Sequence, residues 1–393
     1  MYIVRAIKRE IQTLGLRGVS ELISDDFPRH PSNSQIFYVD SLEKLDEIRS
    51  RGFQVDTVKE NEFFTPPELI DIDVASTDER EANWGAENLH VQKFWKLKAR
   101  GQSVKVGISD TGIFPEHDCF ASLNLKEFIE INKDTGEISH PNPSDSTFHG
   151  THCAGILCGV ESDGMSRGIS PDIELYVAKT FNPQTSVISQ NKALEWFHEK
   201  QCDIVSLSLG WPGLHDDFAI PMLKLLQGGA IVFAASGNDY TSSNPLNRTR
   251  SPGNYPLEGL ISVGAYDTDQ NIWVDSSGGI LDWSDTSIFK GKKNIIVPYL
   301  AGPGVAITSC APAKGKYKKD SGTSMATPHI AGIAANILSY IRMKGIANEK
   351  ILTRQIIDNA IVDAGQPESD ERYGKGVLSV DKILTQLQSL TTS

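Results

Sequence analysis

The chain has 393 residues, 39% of them hydrophobic and 22% charged, and a formal net charge of −12 at pH 7. That length supports a large core and more than one domain, and the composition is that of a soluble globular protein. The acidic balance argues against a general nucleic-acid binder and a polybasic membrane contact, and no apolar run approaches the ~18 residues of a transmembrane helix.

At the N-terminus, MYIVRAIKRE carries charges inside its only apolar stretch, unlike a signal peptide. YIVRAI and QIFYVD read as strands, SLEKLDEIRSRG as a helix ending at Gly52, and FQVDTVKE as a further strand. Residues 1–70 therefore predict a small α+β domain. Pro66-Pro67 and a high acidic density mark an extended connection, with residues 71–82 as linker. Residues 83–393 predict a second domain. In it SVKVGISD, IELYVAKT, DIVSLSLG, AIVFAAS and GLISVGAY read as buried strands, interleaved with helical patterns such as NKALEWFHEK and AIPMLKLLQG. Strands alternating with helices imply an α/β domain with a mainly parallel sheet, whose site gathers beyond the carboxyl ends of strands. Five cysteines, odd in number and scattered, do not form a recognisable disulfide framework, so a reduced, cytoplasmic protein is expected.

Four strand ends and helix starts carry chemistry. The first strand ends in Asp110-Thr111-Gly112, where an Asp either caps a turn or orients a base. FHGTHCAG (148–155) offers His149 and His152; a metal pair is conceivable, but Cys153 and Cys158 complete no zinc spacing. His152 reads most simply as a core histidine, and His149 suits a general base at a helix start. AIVFAAS runs into Gly237-Asn238, an ordinary turn or an amide donor for an oxyanion. In SGTSMATPHIAG (321–332), Pro328 is tolerated only in a first turn, which puts Ser324 at a helix N-terminus. There Ser324 is either a cap or a hydroxyl beside a ready-made anion site. Ser321 has no evident role, and Gly322 and Thr323 are expected to shape the turn.

These motifs resemble the subtilisin-like serine proteases (subtilases, peptidase family S8). SDTGI, HGTHCAG, AASGN and GTSMATPH look like the family's aspartate, histidine, oxyanion-asparagine and serine motifs, and the likeness extends over roughly residues 80–390. The resemblance implies a three-layer α/β/α domain preceded by a small ferredoxin-like domain. It implies a serine endopeptidase in which Ser324 attacks, His149 is the base, Asp110 orients it and Asn238 helps to hold the oxyanion, with no cofactor required for the chemistry. Ser208, Leu209 and Gly210 are implied to pair with the substrate backbone, and Ala234, Ala235, Ser236 and Gly237 to line the first specificity pocket.

Departures are informative. Phe148 replaces the usual Gly before the histidine and is expected to narrow one wall. FNPQTSVIS replaces a Gly-rich edge strand, and Pro183 removes one of its donors. Arg250 falls at the pocket floor, which implies acidic or polar substrate side chains, unless Asp239 pairs with it and favours neutral ones, or Arg248 and Arg250 are both solvated loop residues. Calcium is possible at Asp118 and the loop Val160–Ser166, although Arg80 stands where the family offers a Gln ligand. The N-terminal domain resembles the family's propeptide, an intramolecular inhibitor that would hold the enzyme latent, with Pro66-Pro67 resisting cleavage. Expected partners are this domain and protein or peptide substrates, with no nucleic acid or membrane. Two other classes compete: a catalytically silent peptide-binding scaffold of the same fold, and a dinucleotide enzyme. Gly302-Pro303-Gly304 lacks the third glycine that the dinucleotide enzyme needs.

Overall fold

The computed structural model describes residues 82–390 except 161–167, 183 and 287, together with four strands nearer the N-terminus. The chain divides into two units, Met1–Phe63 and Phe64–Ser393. In the first, β1 (Tyr2–Ile7), β2 (Arg29–His30), β3 (Asn33–Val39) and β4 (Gln54–Thr57) form an antiparallel sheet in the order β2-β3-β1-β4. The helix expected over SLEKLDEIRSRG and the linker around Arg80 lie outside the described residues.

The second unit opens with two short helices, α1 (Trp84–Asn88) and α2 (Val91–Lys96). Its framework is a ten-stranded sheet. β5 (Lys105–Asp110) lies in the middle, flanked by β8 (Glu174–Lys179) and β9 (Ile204–Leu207). Beyond β8 come β6 (Leu125–Ile131) and the antiparallel edge strand β7 (Ile138–Ser139). Beyond β9 come β11 (Ile231–Ala235), β13 (Leu260–Tyr266), β16 (Leu300–Pro303) and β20 (Val377–Leu378), all parallel, and then antiparallel β19 (Ile361–Val362). Among the described residues, three two-stranded pairs lie outside this sheet. They join β10 (Trp211–Pro212) to β12 (Arg250–Ser251), β14 (Gly279–Leu281) to β15 (Ile295–Val297), and β17 (Ile307–Cys310) to β18 (Tyr317–Asp320).

Every residue of β9, β11 and β13 is buried, which explains why these strands read as continuous apolar runs rather than as alternation. One face is covered by α3 (His149–Cys158) and by α6 (Thr323–Met343), a helix of small and apolar residues buried from Thr323 to Ile341. α7 (Glu349–Ala360) and α8 (Val380–Ser389) pack beside α6, and α4 (Val187–Glu199) and α5 (Ala219–Gln227) cover the other face. The strand order reverses at β5, so the crevice over its carboxyl end is where a parallel sheet builds a site. Among the described residues no helix is long and apolar enough to cross a membrane.

The expectation of fully reduced cysteines is corrected. Cys119, in the short turn after β5, is bonded to Cys310 at the end of β17, 191 residues away. Cys153, Cys158 and Cys202 are free and buried. Spacing cannot expose such a pair, because tertiary packing alone creates it.

Candidate active site

β5 ends at Asp110, and α3 begins at His149. His149 Nδ1 donates to Asp110 Oδ1 at 2.7 Å, and each residue is only 3% exposed. The same Oδ1 accepts from Thr111 N at 2.7 Å. Gly112 makes the approach of the two motifs possible: its φ is +119°, and Gly150 packs so close that a Cβ there would meet Gly112 O at 2.1 Å. The bond to Asp110 leaves His149 Nε2 buried without a hydrogen-bond partner among the described residues. Burial works to lower the His149 pKa, but the Asp110 carboxylate overrides it and holds the pKa well above the usual imidazole value. His152 is different. Its Nε2 donates to Lys318 O at 2.9 Å, and burial pushes its pKa down to about 3. It is a neutral core histidine, and it joins no metal-ligand cluster with His149 among the described residues.

Ser324 is the second residue of α6, after an N-cap at Gly322. Its Oγ donates to Ser208 O at 3.2 Å, so in this state the hydroxyl is turned to Ser208 rather than to His149 Nε2. Pro328 sits deeper in the helix than a first turn, five residues after Thr323. It has no N–H for the Ser324 carbonyl, and that carbonyl accepts from Ser208 Oγ at 2.8 Å instead. Asn238 follows β11. Its Oδ1 accepts from Thr323 N at 3.0 Å and Thr323 Oγ1 at 2.9 Å. This fixes the amide so that Nδ2 remains as a donor. Ser321, without a role in the sequence, accepts from Ala306 N at 2.8 Å and pins the turn before α6.

The family model "Subtilase family" matches residues 101–376. The chain belongs to the subtilase family. It is 30% identical over 288 residues to "Subtilisin DY" of Bacillus licheniformis, covering 72% of this chain and 91% of that protein. It is 29% identical over 308 residues to "Intracellular serine protease" of Paenibacillus polymyxa, covering 76% and 85%. A third relative, "Minor extracellular protease Epr" of Bacillus subtilis (strain 168), is 27% identical over 336 residues, 82% of this chain but 45% of that protein. This subtilase is a serine-type endopeptidase, and the mainly parallel sheet between helical layers is the family's α/β/α fold.

Around the candidate site, Ser208, Leu209 and Gly210 continue β9, and Ala234, Ala235, Ser236 and Gly237 end or follow β11; all seven are buried. Arg250 on β12 fills the gap between them. A Cβ at Gly210 would meet Arg250 Cβ at 2.7 Å, and one at Gly237 would meet Arg250 Cγ at 2.8 Å. Arg250 Nη2 donates to Asp239 Oδ1 at 2.8 Å and Nη1 to Gly210 O at 3.2 Å. Of the sequence alternatives for Arg250, pairing with Asp239 is the one observed. Phe148 turns its ring towards His152, with Lys318 Nζ 3.7 Å above it. Pro183 lies outside the described residues; Ser186 nearby caps α4 in a capping box with Ser189.

For calcium, the described residues offer Asp118, whose carboxylate faces Lys314 Nζ at 3.9 Å. Val160 N donates to Cys119 O at 2.8 Å, and most of the Val160–Ser166 loop lies outside the described residues. One carboxylate facing a cation does not make an oxygen-rich calcium site. Sequence reasoning also missed Asp145, whose carboxylate joins the aspartate and histidine motifs. The available signal was an Asp just ahead of a helix start.

Proposed function

We propose that this subtilase cleaves internal peptide bonds through an acyl-enzyme, with Ser324 as nucleophile, His149 as general base and Asp110 as the carboxylate that orients it. The observation that carries this reading is His149, with Nδ1 bound to Asp110 at 2.7 Å and Nε2 buried and unpartnered. Substrate binding would draw the Ser324 hydroxyl from Ser208 to Nε2, as catalytic hydrogen bonds often tighten only in the complex. Ser324 Oγ then attacks the carbonyl carbon, and Nε2 takes its proton. Asn238 Nδ2 and Ser324 N–H receive the oxyanion, and His149 returns the proton to the leaving amine. Water repeats the sequence to release the acid. A fluorophosphonate probe should label Ser324; an unlabelled Ser324 in protein freed of its N-terminal domain would favour the silent scaffold.

His149 acts as a base only when neutral. Activity is therefore lost as pH falls through its pKa, and a raised pKa moves that loss above the ~6.5 of free imidazole. Asp110→Asn removes the cause of the rise. A pH profile of kcat/KM should show the acid limb above 6.5 in the wild type and lower in the variant, on a much reduced rate.

The paired Arg250 and Asp239 favour small, uncharged side chains on the acyl side of the cleaved bond, since Arg250 packs against Gly210 and Gly237 and its charge is balanced by Asp239. Arg250→Gly combined with Asp239→Asn empties the floor without leaving a lone carboxylate. Profiling with a peptide library should then shift towards larger residues by about tenfold or more in kcat/KM. A wild-type preference for large apolar or acidic residues would sink this reading.

We read the N-terminal unit as an intramolecular inhibitor. The support is its four-stranded antiparallel sheet and the likeness of FYVDSLEKLDEIRSRGFQVDTVKEN to the family's propeptides. Wild type and Ser324→Ala should differ in mass by the processed segment, or share a full-length mass with low activity that limited proteolysis raises. Equal full-length masses with undiminished activity would refute latency. As to compartment, the Cys119–Cys310 bond speaks for an oxidising one, against the cytoplasmic placement read from sequence, and the named relatives include both kinds. Thiol counting on protein taken directly from its source decides between them.

A further inference from the structure

Asp110 and His149 sit on different elements, and their 2.7 Å hydrogen bond requires the end of β5 and the first turn of α3 to hold a fixed register. One carboxylate spans that junction. Asp145 Oδ1 accepts from Thr111 Oγ1 at 2.7 Å and from Thr147 N at 3.0 Å. Its Oδ2 accepts from Thr151 N at 2.8 Å and from Thr151 Oγ1 at 2.5 Å. Thr111 directly follows Asp110, and Thr151 lies two residues after His149.

Both threonines extend the clamp. Thr111 Oγ1 accepts from Gly150 N at 2.9 Å, and Thr151 Oγ1 accepts from Phe114 N at 3.0 Å. The backbone adds a bridge between Gly112 and Asp145 and a bond from Ile113 N to Ser144 O at 3.2 Å. None of the four donors to Asp145 is a cation. Its charge is met instead by hydrogen bonds and by the positive end of α3, a ten-residue helix. A residue that only capped α3 would have no need to reach Thr111.

We propose that Asp145 is a positioning residue for the reaction: it sets the distance and angle at which Asp110 meets His149, and so the direction in which His149 Nε2 faces the nucleophile. This rests on the assignment of Asp110, His149 and Ser324 as the triad. Small misplacements of reacting groups cost on the order of 10²-fold in rate.

The test uses the full chain, activated by limited proteolysis where it is latent, with active sites counted by fluorophosphonate titration. Asp145→Ala should lower kcat per titrated site by about 10²-fold while KM stays within about twofold. Asp145→Asn should fall between, because one amide oxygen can serve Thr111 while the NH₂ group meets the donors of Thr151. The acid limb of kcat/KM should move down in both, as the hold of Asp110 on His149 loosens. Thr111→Val should give a similar loss, and the Thr111→Val/Asp145→Ala double variant should be no worse than Asp145→Ala. A lowered Tm with kcat per site and the pH limb unchanged would overturn the proposal and leave the triad intact. A wild type that takes no label at Ser324 even after limited proteolysis has relieved any latency would overturn both. Should Asp145→Ala fail to fold, Asp145→Asn and Thr111→Val give the same readouts.

Discussion

Ser324→Ala is expected to leave a folded protein with turnover reduced on the order of 10⁶-fold, the size already known for loss of the nucleophile in a subtilisin. The substitution removes one hydroxyl that, among the described residues, donates only to Ser208 O at 3.2 Å. The Ser324 carbonyl keeps its bond from Ser208 Oγ, so the helix start should be undisturbed. His149 and Asp110 stay paired. Circular dichroism and Tm should match the wild type while kcat collapses. A variant that kept even a hundredth of wild-type turnover would show that another group attacks the substrate.

Asn238→Ala is expected to lower kcat by about 10²–10³-fold, or about 3–4 kcal/mol of transition-state stabilisation, with KM little changed. The physical reason lies in how the amide is held. Thr323 supplies two donors to Oδ1, so Nδ2 is oriented before any substrate arrives. A donor fixed in advance needs no reorganisation as charge develops. Thr323→Val keeps the backbone donor and loses only the hydroxyl, so its loss should be smaller, near tenfold. Steady-state kinetics on both variants, at equal active-site concentration, checks the order. Equal losses would mean that the amide needs both bonds to stay in place, and an unaffected Asn238→Ala would remove it from the oxyanion site.

The parts that the sequence made legible are those in which contiguous residues carry the whole signal. Asp110, His149, Asn238 and Ser324 each sit in a short motif with glycines whose reason is local, as with Gly112 and Gly150. The buried strands were legible because apolar runs bounded by turn residues have few other uses. What stayed hidden depends on distant segments. Asp145 reaches back 34 residues to Thr111, and Cys119 finds Cys310 191 residues on. Arg250 and Asp239 are visible in the sequence, but only packing against Gly210 and Gly237 decides that they pair. Pro328 misled the local rule. A proline beyond the first turn is costly when its carbonyl partner is stranded, and here Ser208 takes up that carbonyl.

The Cys119–Cys310 bond bears on how this protease survives itself. At high concentration each molecule is a potential substrate for its neighbours, and exposed loops are where chains are nicked. Asp110 lies before Cys119, and Ser324 lies after Cys310. Any cut between the two cysteines would separate the chain into a fragment bearing Asp110 and one bearing Ser324, yet the bond keeps both on one molecule. A clipped enzyme would then run as a single band without reductant and as two with it, retaining in the first case the chance to go on working.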